Sequence, residues 1–196
     1  MGSLRTLAVA LLPTVLLMSC LTARPTEVTT LWREPTTPAI RFTKSLAIFT
    51  GEDSTLRRQI ENRIAGRVQG TVPSHRLIPI EQLTDTQAVR AVVEREGYDG
   101  VIVMQLVGVE QRTADSTHAL YPPTESLWEY LRRTPRAAFR PGREIAITME
   151  SSVYAVKDGK LVWVGRSTSF NPLSTRDLVG TIVDASIDEA RSQRLF

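Results

Sequence analysis

The sequence predicts an α/β (α+β) domain: a mixed β-sheet of about five strands with three helices packed on it, in the order β-α-β-α-β-β-β-α. Three observations predict it. Short apolar runs bounded by polar turns alternate with stretches whose apolar residues recur every three or four positions. Each of those periodic stretches opens on Thr or Ser with Asp or Gln three residues later. Finally, the last two apolar runs are joined by Lys157-Asp158-Gly159-Lys160, the signature of a tight hairpin. The chain has 196 residues and is 42% hydrophobic, which suits one domain with an ordinary core.

The elements follow in order. Ser45-Leu46-Ala47-Ile48-Phe49 is short and apolar, as a buried strand is. Thr50-x-x-Asp53 reads as a capping box for a helix carrying Leu56, Ile60, Ile64 and Val68, with Arg57, Arg58, Glu61 and Arg67 between them. Arg76-Leu77-Ile78-Pro79-Ile80 reads as a second strand whose proline belongs at an edge or end. Thr84-x-x-Gln87 opens a second helix with Ala88, Val89, Val92 and Val93, closed by Gly97. The run Gly100–Val109 is apolar on both faces in its first half, which places it centrally. Residues 144–156 alternate with period two, and 161–169 return after an Asp-Gly turn whose central residues need positive φ. Ser174-x-x-Asp177 caps a last helix bearing Leu178, Val179, Ile182, Val183, Ile187 and Ala190. No internal repeat is present.

Ahead of this domain, residues 1–19 read as a secretory signal: Arg5, then an apolar stretch from Leu7 to Met18 broken only by Pro13 and Thr14. About a dozen apolar residues fall short of the ~20 that a spanning helix needs. The only cysteine, Cys20, ends Leu17-Met18-Ser19-Cys20. This resembles the bacterial lipoprotein signal, whose lipobox reads roughly Leu-(Ala/Ser)-(Gly/Ala)-Cys, with Met18 in place of the usual small residue. The resemblance implies diacylglycerol on the Cys20 thiol, cleavage before it and acylation of the new N-terminus. Leu21 after the cysteine favours the outer membrane by that family's sorting rule. Residues 20–43, rich in Thr and Pro, read as a flexible tether holding the domain away from the head groups, with Trp32 packing on the domain or near the membrane surface. Residues 44–196 are then the single domain. A lone cysteine permits no intramolecular disulfide, so stability rests on the core.

Two phrases carry a further resemblance: Gly97-Tyr98-Asp99-Gly100-Val101-Ile102-Val103, and Gly159-Lys160-Leu161-Val162-Trp163 with Asn171-Pro172 beyond. They resemble a group of small envelope proteins that includes uncharacterised outer-membrane lipoproteins, the amino-terminal domain of the TolB protein and the lipoprotein that activates a penicillin-binding protein. The likeness implies a fold and a compartment. Its motifs are fold-keeping ones: Gly97 serves as a C-cap, Gly159 as a turn and Trp163 as a core aromatic.

Formal net charge is +3, with no long basic run; of 24 basic residues only Lys44, Lys157 and Lys160 are lysines. Neither charge nor compartment points to nucleic acid. His75 and His118 stand in different loops, and zinc-ligand spacing, a nucleophile elbow and a phosphate-cradling loop do not occur. The expectation is a protein that is not an enzyme, with no cofactor beyond the covalent lipid on Cys20, no metal and no small-molecule substrate. Asp99, beside a strand, is the one carboxylate to reconsider.

One segment exceeds what the fold needs. Residues 113–143 span about 30 positions where two to six connect neighbours. They include Tyr121, Trp128 and Tyr130, and then Arg132, Arg133, Arg136 and Arg140. Aromatics beside arginines are the composition of interface hot spots. A loop folded over the domain, with Trp128 covering a sheet face and the arginines solvated, accounts for the same residues. The expected function is a membrane-anchored, periplasm-facing protein-binding module in envelope assembly or maintenance, its partners the membrane and an envelope protein. The alternative is a binder of anionic envelope polymer, lipopolysaccharide or peptidoglycan, through the arginines.

Overall fold

The computed structural model describes residues 26–35, 40–110, 146–170 and 172–196. Its strands are β1 (Glu27–Arg33), β2 (Ser45–Phe49), β3 (Thr71–Pro73), β4 (Gly100–Glu110), β5 (Ala146–Ala155) and β6 (Lys160–Phe170). The helices are α1 (Ser54–Arg67), α2 (Thr86–Arg95) and α3 (Thr175–Ser192). One six-stranded sheet results, in the order β1-β6-β5-β4-β2-β3. β2 runs parallel to both β3 and β4, and every other pairing is antiparallel. The sheet is therefore mixed, as expected, with one strand more than the sequence suggested.

Two apolar layers sandwich this sheet. On one face Leu56, Ile60 and Ile64 of α1 and Leu178, Ile182, Val183 and Ile187 of α3 pack on Ala47, Phe49, Ile102, Met104 and Met149. On the other, Val89, Val92 and Val93 of α2, with Ile78 and Leu83, cover Leu46, Ile48, Val101, Val103 and Tyr154. Alternate residues of β2 and β4 thus enter opposite layers, which is why both read as continuous apolar runs. The α1 crossover carries the chain from β2 to β3 on one side, and the α2 crossover carries it from β3 back past β2 to β4 on the other, so the sheet has a topological switch point at the ends of β2 and β4.

Local chemistry sets the helix ends. Asp53, rather than Thr50, caps α1 by accepting from the N–H groups of Thr55 and Leu56. Asp85, rather than Thr84, caps α2 through Gln87 and Ala88. Ser174 caps α3 at the Asp177 N–H, as the sequence predicts. Gly97 ends α2 at φ 69°, where Tyr98 N–H reaches back to the Val93 carbonyl at 3.1 Å. Along the α1–α3 seam Arg63 pairs with Asp184 and Arg67 with Asp188, and that hydrogen bond and charge raise the Arg63 pKa.

Three expectations are corrected. Within the tether read over residues 20–43, Glu27–Arg33 forms edge strand β1 against β6. What fixes it is side-chain chemistry: the Trp163 indole N–H donates to Thr30 at 3.2 Å, and the Thr30 hydroxyl donates to Glu189 at 2.6 Å. Trp32 packs on the domain, against the α2-side layer. Second, residues 76–80 are not a strand. Two 3₁₀ turns, Ser74–Arg76 and Ile80–Gln82, flank Pro79, which has no N–H to give a ladder, and the strand is the shorter Thr71–Pro73. Third, in the β5–β6 turn only Gly159 has positive φ; Val156 accepts from the Gly159 N–H at 3.2 Å, a turn closed by one left-handed residue rather than two.

Candidate functional site

The end of the sheet where β4 stops and β5 starts holds the stems of the long insertion. Glu110 and Ala146 are register partners, and Ala146 is in turn opposite Phe170, the last residue of β6. β1 starts at this same end, with Glu27 opposite Thr168. A register shift between Leu106 and Gly108 bends β4 just before it ends. The exposed large hydrophobics among the described residues, Val107, Val109 and Leu173, all belong to this end, at 44%, 40% and 87% exposure. Leu173 sits in the turn into α3, its N–H donated to the Asp177 carboxylate at 3.0 Å. One row inward, Glu150 and Arg166 face each other across β5 and β6 at 3.2 Å.

The site residues expected from sequence in the insertion, Tyr121, Trp128, Tyr130, Arg132, Arg133, Arg136 and Arg140, lie outside the described residues, as does Cys20.

A second constellation was not anticipated. Glu61 of α1 is fully buried and faces the last residue of β2 and the turn after β3. One carboxylate oxygen accepts from Phe49 N–H at 3.0 Å, Arg57 Nε at 2.9 Å and Ser74 Oγ at 2.7 Å. The other accepts from His75 N–H at 2.6 Å and lies 2.9 Å from His75 Nδ1. An ionised carboxylate there places the imidazole proton on Nδ1. Arg57 also donates to Ser74 Oγ and to the Ile78 carbonyl, each at 2.9 Å. The cluster ties α1, β2, the first 3₁₀ turn and Ile78 together beside the switch point. Its signal in the sequence is an Arg-Glu pair at i,i+4 directly beside the Leu56-Ile60-Ile64 stripe, a spacing that reads equally as a surface ion pair.

Asp99 proves to be a strand latch. Its carboxylate accepts from the Thr43 N–H at 2.7 Å, the Lys44 N–H at 3.0 Å and the Thr43 hydroxyl, while Asp99 N–H donates to the Lys44 carbonyl at 2.9 Å. Burial would raise this carboxyl, but the hydrogen bonds from Thr43 and Lys44 outweigh it and hold its pKa below the ordinary value. The neighbouring Tyr98 phenol is pushed up by burial and then by Glu96, with the Lys44 ammonium 4.6 Å from its ring centre. Trp163 is 1% exposed and is a core residue. Among the described residues no group of three or more His, Cys, Asp or Glu is placed to hold a metal, and no helix is long and apolar enough to cross a membrane.

No family model and no curated protein matches the chain. Among solved structures it is similar to two of the PelC dodecamer from Paraburkholderia phytofirmans, at 10% and 11% identity. Both have a TM-score of 0.47 and align with 83% of this chain and 95% and 94% of that chain. It is also similar to the lipoprotein GNA1162 from Neisseria meningitidis, at 13% identity and a TM-score of 0.39, over 76% of this chain and 96% of that one. At this distance neither activity nor partner transfers.

Proposed function

We propose that this chain is a lipid-anchored envelope protein whose domain serves as a protein-binding module, with Cys20 as the anchor and the insertion end of the sheet as the docking side. The observation that carries the reading is the pairing of Glu110 with Ala146. Partners in register on adjacent antiparallel strands need only a two-residue turn between them, yet 35 residues intervene. The β4–β5 pairing does not require a connection of that length, and long loops on rigid scaffolds are where binding residues concentrate. Tyr121, Trp128 and Tyr130 supply anchoring aromatics, and Arg132, Arg133, Arg136 and Arg140 supply bidentate donors.

The arginines also support a second reading, an anionic envelope polymer as the ligand. The test is co-purification from detergent-solubilised envelopes, with the native chain beside one lacking residues 118–141. A defined protein captured by the native chain alone, and retained in moderate salt, supports the module. Capture of polymer that weakens steeply with salt supports the second reading, because exposed charges are screened. Equal recovery by both chains refutes the insertion as the docking element.

A further inference from the structure

We infer that the insertion end of the sheet rests on the lipid surface itself, with Val109 and Leu173 in the head-group boundary. The inference rests on the reading that Cys20 is lipidated. From Cys20 to Glu27 there are seven peptide steps, which span at most about 25 Å even when fully extended. β1 starts at the insertion end, so with that end toward the bilayer a connection of this length suffices to join Cys20 to Glu27. Were the opposite end, with the Lys157–Gly159 turn, to face the lipid, Glu27 would stand at least a strand length above it. The seven residues of β1 alone span roughly 20 Å, leaving the connection almost no slack.

The surface chemistry agrees with the geometry. The exposed large hydrophobics of the described residues gather at this end, and Leu173 is 87% exposed in a turn that projects beyond β6. The charged groups beside them are mixed, exposed Glu27 and the Asp177 carboxylate bonded to Leu173 N–H against exposed Arg176, with no cationic excess. The contact is therefore apolar rather than a charge attraction to anionic head groups; the acyl chains on Cys20 hold the chain at the bilayer, and this contact sets which end of the domain faces it.

The test uses the full, acylated chain in phosphatidylethanolamine–phosphatidylglycerol vesicles, with and without brominated acyl chains. Acylation blocks Cys20, so a fluorophore can be placed through Leu173→Cys, Val109→Cys or, as the remote control, Lys157→Cys, all at exposed positions. Flotation is measured alongside, for the native chain and for Cys20→Ser. The expected result is bromine quenching at 109 and 173, unchanged by salt, and none at 157. Flotation with no quenching at 109 and 173 overturns the inference and leaves the anchor standing. A blue-shifted label without bromine quenching means protein covers these residues, which also overturns it. Equal flotation of native and Cys20→Ser chains refutes the anchor, and the inference with it.

Discussion

Arg57 and Glu61, one turn apart on α1, meet at 2.9 Å with side chains 3% and 0% exposed. Glu61 also satisfies Phe49, Ser74 and His75, so the pair is the hub of a buried network rather than an isolated bridge. Removing one partner strands a charge in the interior. We expect Glu61→Leu or Arg57→Leu to cost about 3–5 kcal/mol in denaturant unfolding. The double variant should lose less than the sum, since no unpaired charge remains. Additive losses would mean the two residues act independently.

Asp99 predicts a pH dependence. Its folded pKa is depressed, so the stability it contributes is present above the unfolded value of about 3.9 and is lost as pH falls through the lower folded value. Asp99→Asn should therefore be less stable than the native chain at pH 7, by about 1–3 kcal/mol for lost hydrogen bonds to a charged group. The gap should narrow below about pH 4. Unfolding midpoints at several pH values check this. A gap that widens in acid would contradict it.

Gly165 lies two residues along β6 from Trp163, and a β-carbon there would overlap the indole. Its conservative replacement, Gly165→Ala, should cost about 1–3 kcal/mol by forcing the ring from its place. Fluorescence from the buried Trp163 should shift with it. Gly66, in α1, has open space around its would-be β-carbon and serves as the control. There Ala should be neutral or stabilising by up to about 1 kcal/mol.

Excision of residues 118–141 should leave the fold intact, because Glu110 and Ala146 keep their partners and the shorter loop closes at lower entropic cost. Circular dichroism and a cooperative melt within a few degrees of the native chain are the expected outcome. Collapse of the melt would make the insertion part of the core.

Truncation before residue 40 separates a tether from a strand. It removes Thr30 from Trp163 and Glu189 and leaves β6 as a bare edge with a buried tryptophan behind it. A lower unfolding midpoint and concentration-dependent aggregation are expected. An unchanged midpoint would return residues 27–33 to the tether.

The three helices, the central β4 and the β5–β6 hairpin were legible because their patterns are local: stripes, alternation and caps. β1 was not, since its Thr-rich run has no partner nearby; what orders it is β6, at register Glu27–Thr168. The turns at 74–82 were misread because Leu77, Ile78 and Ile80 look like a strand, while Pro79 has no N–H to give a ladder and 3₁₀ turns stand on either side of it. Asp99 was picked out as a carboxylate of interest, but its partners, Thr43 and Lys44, lie 56 and 55 residues away in sequence and could not be read from spacing. Glu61 was passed over for the same reason: three of its five contacts are with Ser74 and His75, across a strand connection.

The first strand of the chain is bound to the last, and Thr30 reaches Glu189 across a separation of 159 residues. Such pairing is slow to form, because a long loop must close before the contact rewards it. A chain that emerges N-terminus first therefore presents β1 before anything exists for it to join. β2 through β6 can assemble as they emerge, but the sheet stays open along β6 until β1 returns. Synthesis and closure are thereby coupled: the last edge is covered only once β6 exists for the waiting β1 to join, and a product that has lost residues 27–33 is left with that edge bare for proteases to find.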